Sequence, residues 1–218
     1  MFTRRITRRN LVLVATLVAA SGFAAAVQSD KVDVQYRTKA ELIHELAKYV
    51  GPEPLVAGPD NTFVIGILGK DPFDGVNEAR QPVNHLRVMV DARKTFNGLK
   101  LVIRQFDSAK DYQPCHVLFV SAKAAEKSVE WKPEERLKAA VEKTKGSPVV
   151  LVGDTKGFAQ QGAVINYFLT PVGGGEMSVN FELNPDAAAR AGIRIDPRIL
   201  RLATIVRDNA ERAGTEAR

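Results

Sequence analysis

Two places in the chain combine side-chain types that can do chemistry. Cys115 and His116 are adjacent, and a thiol beside an imidazole is the start of a nucleophile–base pair. Asp154 and Glu182 are the carboxylates to examine for acid–base work. They lie far apart in sequence, and such work needs both within reach of one reacting group. The other imidazoles, His44 and His85, stand alone. No H-x-x-x-H or H-E-x-x-H pair and no G-x-S-x-G elbow occurs. With one cysteine, neither an internal disulfide nor a multi-thiolate zinc site can form. Gly66-x-x-Gly69 lacks the third glycine of a dinucleotide fingerprint, and Gly173-Gly174-Gly175 lacks the Lys-Ser/Thr of a phosphate loop. The expectation is no catalytic constellation, no metal and no cofactor.

The elements that must position these residues decide among them. The segment 115–121 (CHVLFVS) reads as a buried strand. Adjacent strand residues point to opposite faces, so Cys115 and His116 are not expected to meet. Runs 62–69, 99–106 and 148–153 read as further buried strands. Helices are expected over 39–50, 84–94 and 133–145. The second also fits a strand, because Leu86, Val88 and Val90 alternate; helix is preferred because it completes a βαβ unit. Segments 163–168 and 177–181 read as a paired hairpin. Asn184-Pro185 opens a short helix to 191, and Asp196-Pro197 a final helix to about 212. The fold class is α/β: a three-layer sandwich with a mainly parallel sheet and a C-terminal β-hairpin plus helices.

One loop follows the 148–153 strand: Asp154-Thr155-Lys156-Gly157-Phe158-Ala159-Gln160-Gln161-Gly162. Ligands of open α/β sheets bind beyond such carboxyl ends. Phe158 either tucks beneath the loop as a pin or is offered to a partner as an anchor. Asp154 reads as a loop-capping carboxylate rather than an acid or base.

Charge narrows the partners. The chain holds 31 Lys+Arg against 25 Asp+Glu. Arg4, Arg5, Arg8 and Arg9 supply four of the positive charges, leaving 27 basic against 25 acidic groups in the rest. A nucleic-acid-binding surface is therefore not expected. The same arginines precede an apolar run at 11–20 and Ala24-Ala25-Ala26, the three parts of a secretory signal cleaved before Val27. Thr7-Arg8-Arg9-Asn10-Leu11-Val12 also looks like a twin-arginine export signal. The reading is a signal peptide at 1–26, by either route, and a single periplasmic domain at 27–218.

The ordered series of motifs resembles the YfiR-like family. It comprises Lys39-Ala40 with its apolar helix, Phe63 to Gly69 with Asp71-Pro72-Phe73, and Cys115 to Ser121. It continues through Val150 to Asp154, Gly157-Phe158-Ala159, Gly162 and Ile165-Asn166. Phe181-Glu182-Leu183-Asn184, Ala187-Ala188, Ala191-Gly192-Ile193 and Ile199-Leu200-Leu202-Ala203 close it. Three positions depart from the pattern: Ala163 stands for a second glycine, Gly51-Pro52 for an aromatic, and Cys115 has no partner for the disulfide some members carry near the Gly-Phe loop. The resemblance implies a non-catalytic, homodimeric periplasmic protein. It would bind and repress the sensor domain of an inner-membrane diguanylate cyclase, lowering cyclic di-GMP and biofilm formation. Asp154, Gly157, Phe158 and Gln160 are then the candidate partner-binding residues, with Phe158 as anchor and apolar residues of the last helix beside them. The competing expectation is a small-ligand-binding protein or enzyme at the Asp154–Phe158 loop, with Asp154 and Glu182 or a histidine converging in a pocket.

Overall fold

The structure, a computed structural model, describes residues 34–77 and 79–209. The expected signal segment lies outside the described residues. Helix α1 is described over 34–47. It is followed by strands β1 (Val50–Gly51), β2 (Thr62–Leu68), β3 (Asp74–Val76) and β4 (Pro82–Asn84), then helix α2 (His85–Arg93). Next come β5 (Thr95–Phe96), β6 (Leu99–Phe106), β7 (Val117–Val120), α3 (Pro133–Thr144), β8 (Val150–Gly153), β9 (Ile165–Gly173) and β10 (Glu176–Leu183). The described chain ends with α4 (Pro185–Arg190), β11 (Arg194–Ile195), α5 (Pro197–Leu200) and β12 (Thr204–Ile205).

Eight strands form one sheet in the order β12-β10-β9-β8-β7-β2-β6-β5. The five from β6 to β9 in that order run parallel. On one side of them β5 runs antiparallel to β6, and on the other β10 runs antiparallel to β9. Every residue of β2 is buried, as a continuous apolar run covered on both faces must be. The two-residue period divides it. Phe63, Ile65 and Ile67 join one core with α1 (Ala40, Ile43, Leu46), α2 (Leu86, Met89) and α4 (Ala187, Ala188). Val64 and Leu68 join the other core with α3 (Leu137, Ala140), Cys115, Phe158 and Ala163. Helices on both faces of a mainly parallel sheet make the expected three-layer arrangement. Gly66 is needed where the second core is tightest: a Cβ there would lie 2.9 Å from Leu118 Cδ1 and from Phe106 Cε2.

The ambiguous segment is helical. The Asn84 side chain caps α2 by accepting from the Arg87 backbone N–H. Leu86 and Met89 are buried while Val88 is 53% exposed, which a half-buried strand would not allow. Inside α3 the buried Arg136 guanidinium donates to the carbonyls of Ser121 and Ala122, each at 3.0 Å, and to that of Glu130. It thereby ties down the segment between β7 and α3.

Three expectations are corrected. The first helix stops at 47, not 50, because Val50–Gly51 pairs with Arg194–Ile195. The turn after β2 carries a hairpin, β3–β4, that the sequence reading did not foresee. The helix expected from 196 to about 212 ends after one turn, at Leu200. After α5 the chain lays Thr204 and Ile205 parallel to Glu182 and Leu183 of β10, and the Val206 N–H donates to the Leu183 carbonyl at 2.9 Å. The β-branched run Thr204-Ile205-Val206 satisfies the sheet edge better than it would continue a helix.

Candidate functional site

β8 delivers Asp154 to the carboxyl end of the parallel sheet. Just before it, Gly153 gives way to Phe158: a Cβ at Gly153 would sit 2.5 Å from Phe158 Cδ2. The loop folds around that ring. The Phe158 N–H donates to the Thr155 carbonyl, and the Phe158 carbonyl accepts from Gln161 and Ala163. Phe158 is completely buried, so it is the pin beneath the loop. The expectation that it is offered to a partner is overturned by that burial. Gly157 and Gln160 are half-buried, and Lys156 is exposed.

Asp154 is bound to α1. Its Oδ2 accepts from Tyr36 Oη at 3.0 Å and from Lys39 Nζ at 2.8 Å. Both partners of the ion pair are buried, with side-chain exposures of 6% and 3%. The Lys39 ammonium also lies 4.3 Å from the centre of the Tyr36 ring, a cation–π contact. Burial first, then the Asp154 charge, pushes the phenols of Tyr36 and Tyr167 well above the ordinary tyrosine range. Both are hydroxyls at neutral pH.

The hairpin adds the rest. β9 and β10 set Asn166 opposite Glu182, and Asn166 Nδ2 donates to Glu182 Oε2 at 2.8 Å. A cavity of about 560 Å³ is lined by Tyr36, Lys39, Asp154, Asn166, Tyr167 and Glu182, among others. This volume suits a small-molecule site. Three of the lining residues each bury a polar atom that has no partner among the described residues: Asp154 Oδ1, Asn166 Oδ1 and Tyr167 Oη. Buried polar groups are ordinarily satisfied, so this end of the sheet holds unused hydrogen-bonding capacity. Asp154 and Glu182 thus share one cavity, as the competing expectation required. Asp154 is held by a lysine, which suits it to binding rather than to proton transfer.

The sequence reading missed Tyr36, Lys39, Asn166 and Tyr167. Tyr36 and Lys39 are spaced to share one helix face, and Asn166 is a polar interruption of an apolar strand. Those were the available signals.

The Cys115–His116 pair separates as expected. Cys115 belongs to the second core, and burial pushes its thiol up to about 12. His116 stacks on Phe63 of the first core, with ring centres 4.6 Å apart. Its Nδ1 accepts from the Val64 N–H at 2.9 Å, and its Nε2 lies 2.8 Å from the Val56 carbonyl. His44 and His85 are buried elsewhere. Among the described residues no group of three or more His, Cys, Asp or Glu could hold a metal ion.

The chain is thus an α/β protein whose concave polar site lies beyond the carboxyl ends of a parallel sheet. A model of the DUF4154 family, described as YfiR/HmsC-like, matches residues 36–204, and the chain belongs to that family. The family suggests a periplasmic regulatory role. No described helix is long and apolar enough to cross a membrane. No curated protein matches the chain. Among solved structures it is similar to a conserved domain protein from Vibrio cholerae O1 biovar El Tor, at 16% identity and a TM-score of 0.41, covering 78% of this chain and 59% of that one. It is also similar to the ABC domain in complex with L-Trp from Streptococcus pneumoniae, at 11% identity and a TM-score of 0.40, covering 79% and 60%. The chain therefore spans about three fifths of each of these two.

Proposed function

We propose that the mature protein, 27–218, is a non-catalytic periplasmic regulator. It binds the sensor domain of an inner-membrane diguanylate cyclase and holds the enzyme inactive, which lowers cyclic di-GMP and biofilm formation. The family match over 36–204 carries this reading. The mechanism is a population shift: moving the cyclase from 1:99 to 99:1 in favour of its inactive form needs a preference of about ten-thousand-fold, or ~5.5 kcal/mol. The protein acts as a homodimer and does not itself span the membrane.

With Phe158 buried, the contact falls to exposed groups. Trp131 is 66% exposed beside the exposed Val129, on the segment that Arg136 ties down. An exposed tryptophan on a fixed segment is the residue type that dominates interface energetics. Leu202 and Ile205, expected on a last helix, are exposed on the turn and edge strand instead. Gly157 and Gln160, in the loop around Phe158, are assigned a lesser part.

The test is capture from crosslinked envelope with the mature protein as bait, beside Trp131→Ala and Phe158→Leu. Recovery of a membrane diguanylate cyclase, weakened by Trp131→Ala, supports both the function and the contact. Recovery unaffected by Trp131→Ala keeps the function and removes that contact. An envelope shown to contain such a cyclase, from which none is recovered, contradicts the function.

A further inference from the structure

We propose that Arg136 is a positioning residue for the partner contact: it holds the segment between β7 and α3 so that Trp131 is presented in one fixed geometry. The inference rests on the reading of Trp131 as the contact residue. Residues 121–132 contain only turns and bends, so no ladder or helix fixes where Trp131 stands. Trp131 is nevertheless 66% exposed and Val129 59%. An anchor on a loose segment must be ordered when it binds, which weakens binding.

The ordering is supplied beforehand. Arg136 is completely buried and forms no ion pair among the described residues. Its Nε donates to the Ser121 carbonyl and its Nη2 to that of Ala122, each at 3.0 Å. Its Nη1 donates to the carbonyl of Glu130, the residue immediately before Trp131. Both ends of the segment are thus held by one side chain. Burying a cation is costly, and a methionine of similar reach would fill the space without that cost. The guanidinium is explained by what it orients: its planar fork reaches three carbonyls at once, which an ammonium group does not match.

Further bonds converge on the same segment. The Ser108 hydroxyl donates to the Glu130 carboxylate at 2.9 Å, and the Ser128 hydroxyl to the Glu130 carbonyl at 3.2 Å. The Lys70 N–H donates to the Lys123 carbonyl at 2.9 Å. The stretch after β2, the stretch after β6 and α3 therefore all brace it. An anchor held in its bound geometry loses less conformational entropy on association, so loosening the brace weakens binding while Trp131 itself remains.

The experiment compares Arg136→Met and Ser108→Ala with the parent, Trp131→Ala and His116→Ala, with unfolding midpoints measured for all. His116→Ala controls for lost stability, because it acts at the opposite end of the sheet. Trp131 is the only tryptophan of the chain, so fluorescence anisotropy decay of the purified protein follows this segment alone. Arg136→Met and Ser108→Ala are expected to add a fast local component that the parent and His116→Ala lack. In envelope capture, Arg136→Met is expected to lower recovery of a membrane diguanylate cyclase by about fivefold or more, Ser108→Ala by less, and His116→Ala not at all. Should Arg136→Met not fold, Ser108→Ala decides by the same two readouts. The proposal is overturned if Trp131 is as immobile in the folded variants as in the parent. It is equally overturned if Trp131→Ala lowers recovery while they do not, or if His116→Ala, at a similar loss of stability, lowers recovery as much. Each of these results leaves the regulatory reading standing. Recovery that Trp131→Ala leaves unchanged removes the contact itself, and the role of Arg136 with it.

Discussion

The two ends of the parallel sheet differ in how their polar groups are used. At the amino end of β7, His116 has both ring nitrogens engaged by backbone groups and its face against Phe63. At the carboxyl end of β8, Asp154, Asn166 and Tyr167 each keep a buried polar atom unpartnered among the described residues. The first end holds the residue types most associated with catalysis, yet its hydrogen bonds are spent on the fold. The second holds an ion pair, an amide and a phenol whose polar atoms are not all spent on the fold. Residue type is therefore a poorer guide to a site than the balance of satisfied and unsatisfied groups.

The comparison can be broken first at Lys39. Lys39→Met strands the Asp154 carboxylate in its buried position, and removing one partner of such a pair costs roughly 3–5 kcal/mol. Chemical denaturation is expected to show a loss of this size; a loss below about 1 kcal/mol would mean that α1 does not organise the site. Next comes His116→Ala, which leaves the buried Val64 N–H without its acceptor at a cost of about 1–3 kcal/mol. Cyclase capture by this variant is expected to match the parent. Impaired capture by a folded His116→Ala protein would give the amino end a part in function and erase the contrast.

A smaller effect concerns Cys115. With its thiol pushed up to about 12 by burial, almost no thiolate exists at pH 8. Mass spectrometry is expected to find it unalkylated by iodoacetamide in the native protein and modified once unfolded. Rapid alkylation in the native state would contradict its place in the core.

The smallest effect sharpens the carboxyl-end picture. Asp71, beyond β2, is held above the ordinary carboxylate range chiefly by burial. It accepts from the Phe73 N–H at 2.8 Å and from Asn84 Nδ2 at 2.8 Å. A carboxyl raised in the folded state binds its proton more tightly there than when unfolded. Its contribution is therefore full below the unfolded value and is lost as pH rises through the folded one. Both Asp71 oxygens accept hydrogen bonds, so Asp71→Asn is expected to destabilise the protein in acid and to do so less at pH 7, where the parent also bears the cost of ionising a buried carboxyl. Equal differences at both pH values would assign the effect to something other than ionisation.

Much of the fold was legible because each segment carried its own signal. β2, β7 and β8 are short apolar runs bounded by turn residues, β6 follows the Asn97-Gly98 turn, and Asn184-Pro185 capped α4 where expected. β12 was illegible because a β-branched run after a capped helix turn mimics continued helix until the β10 edge claims it. The β3–β4 hairpin is too short to show a period. For the site, Asp154 and Glu182 could be picked out singly. Their meeting depends on the register that sets Glu182 beside Asn166, and Lys39 reaches Asp154 across 115 residues of sequence. No local pattern encodes either contact. Phe158 was recognised as the special residue of its loop, but its direction depended on Gly153 leaving room below it.

The central claim, that this family member restrains a membrane diguanylate cyclase, is tested most directly by crosslinked-envelope capture with the mature chain as bait. The account predicts recovery of a diguanylate cyclase through its periplasmic sensor domain, reduced when Trp131 is changed to alanine. Failure to recover any cyclase from an envelope shown to contain one would contradict it.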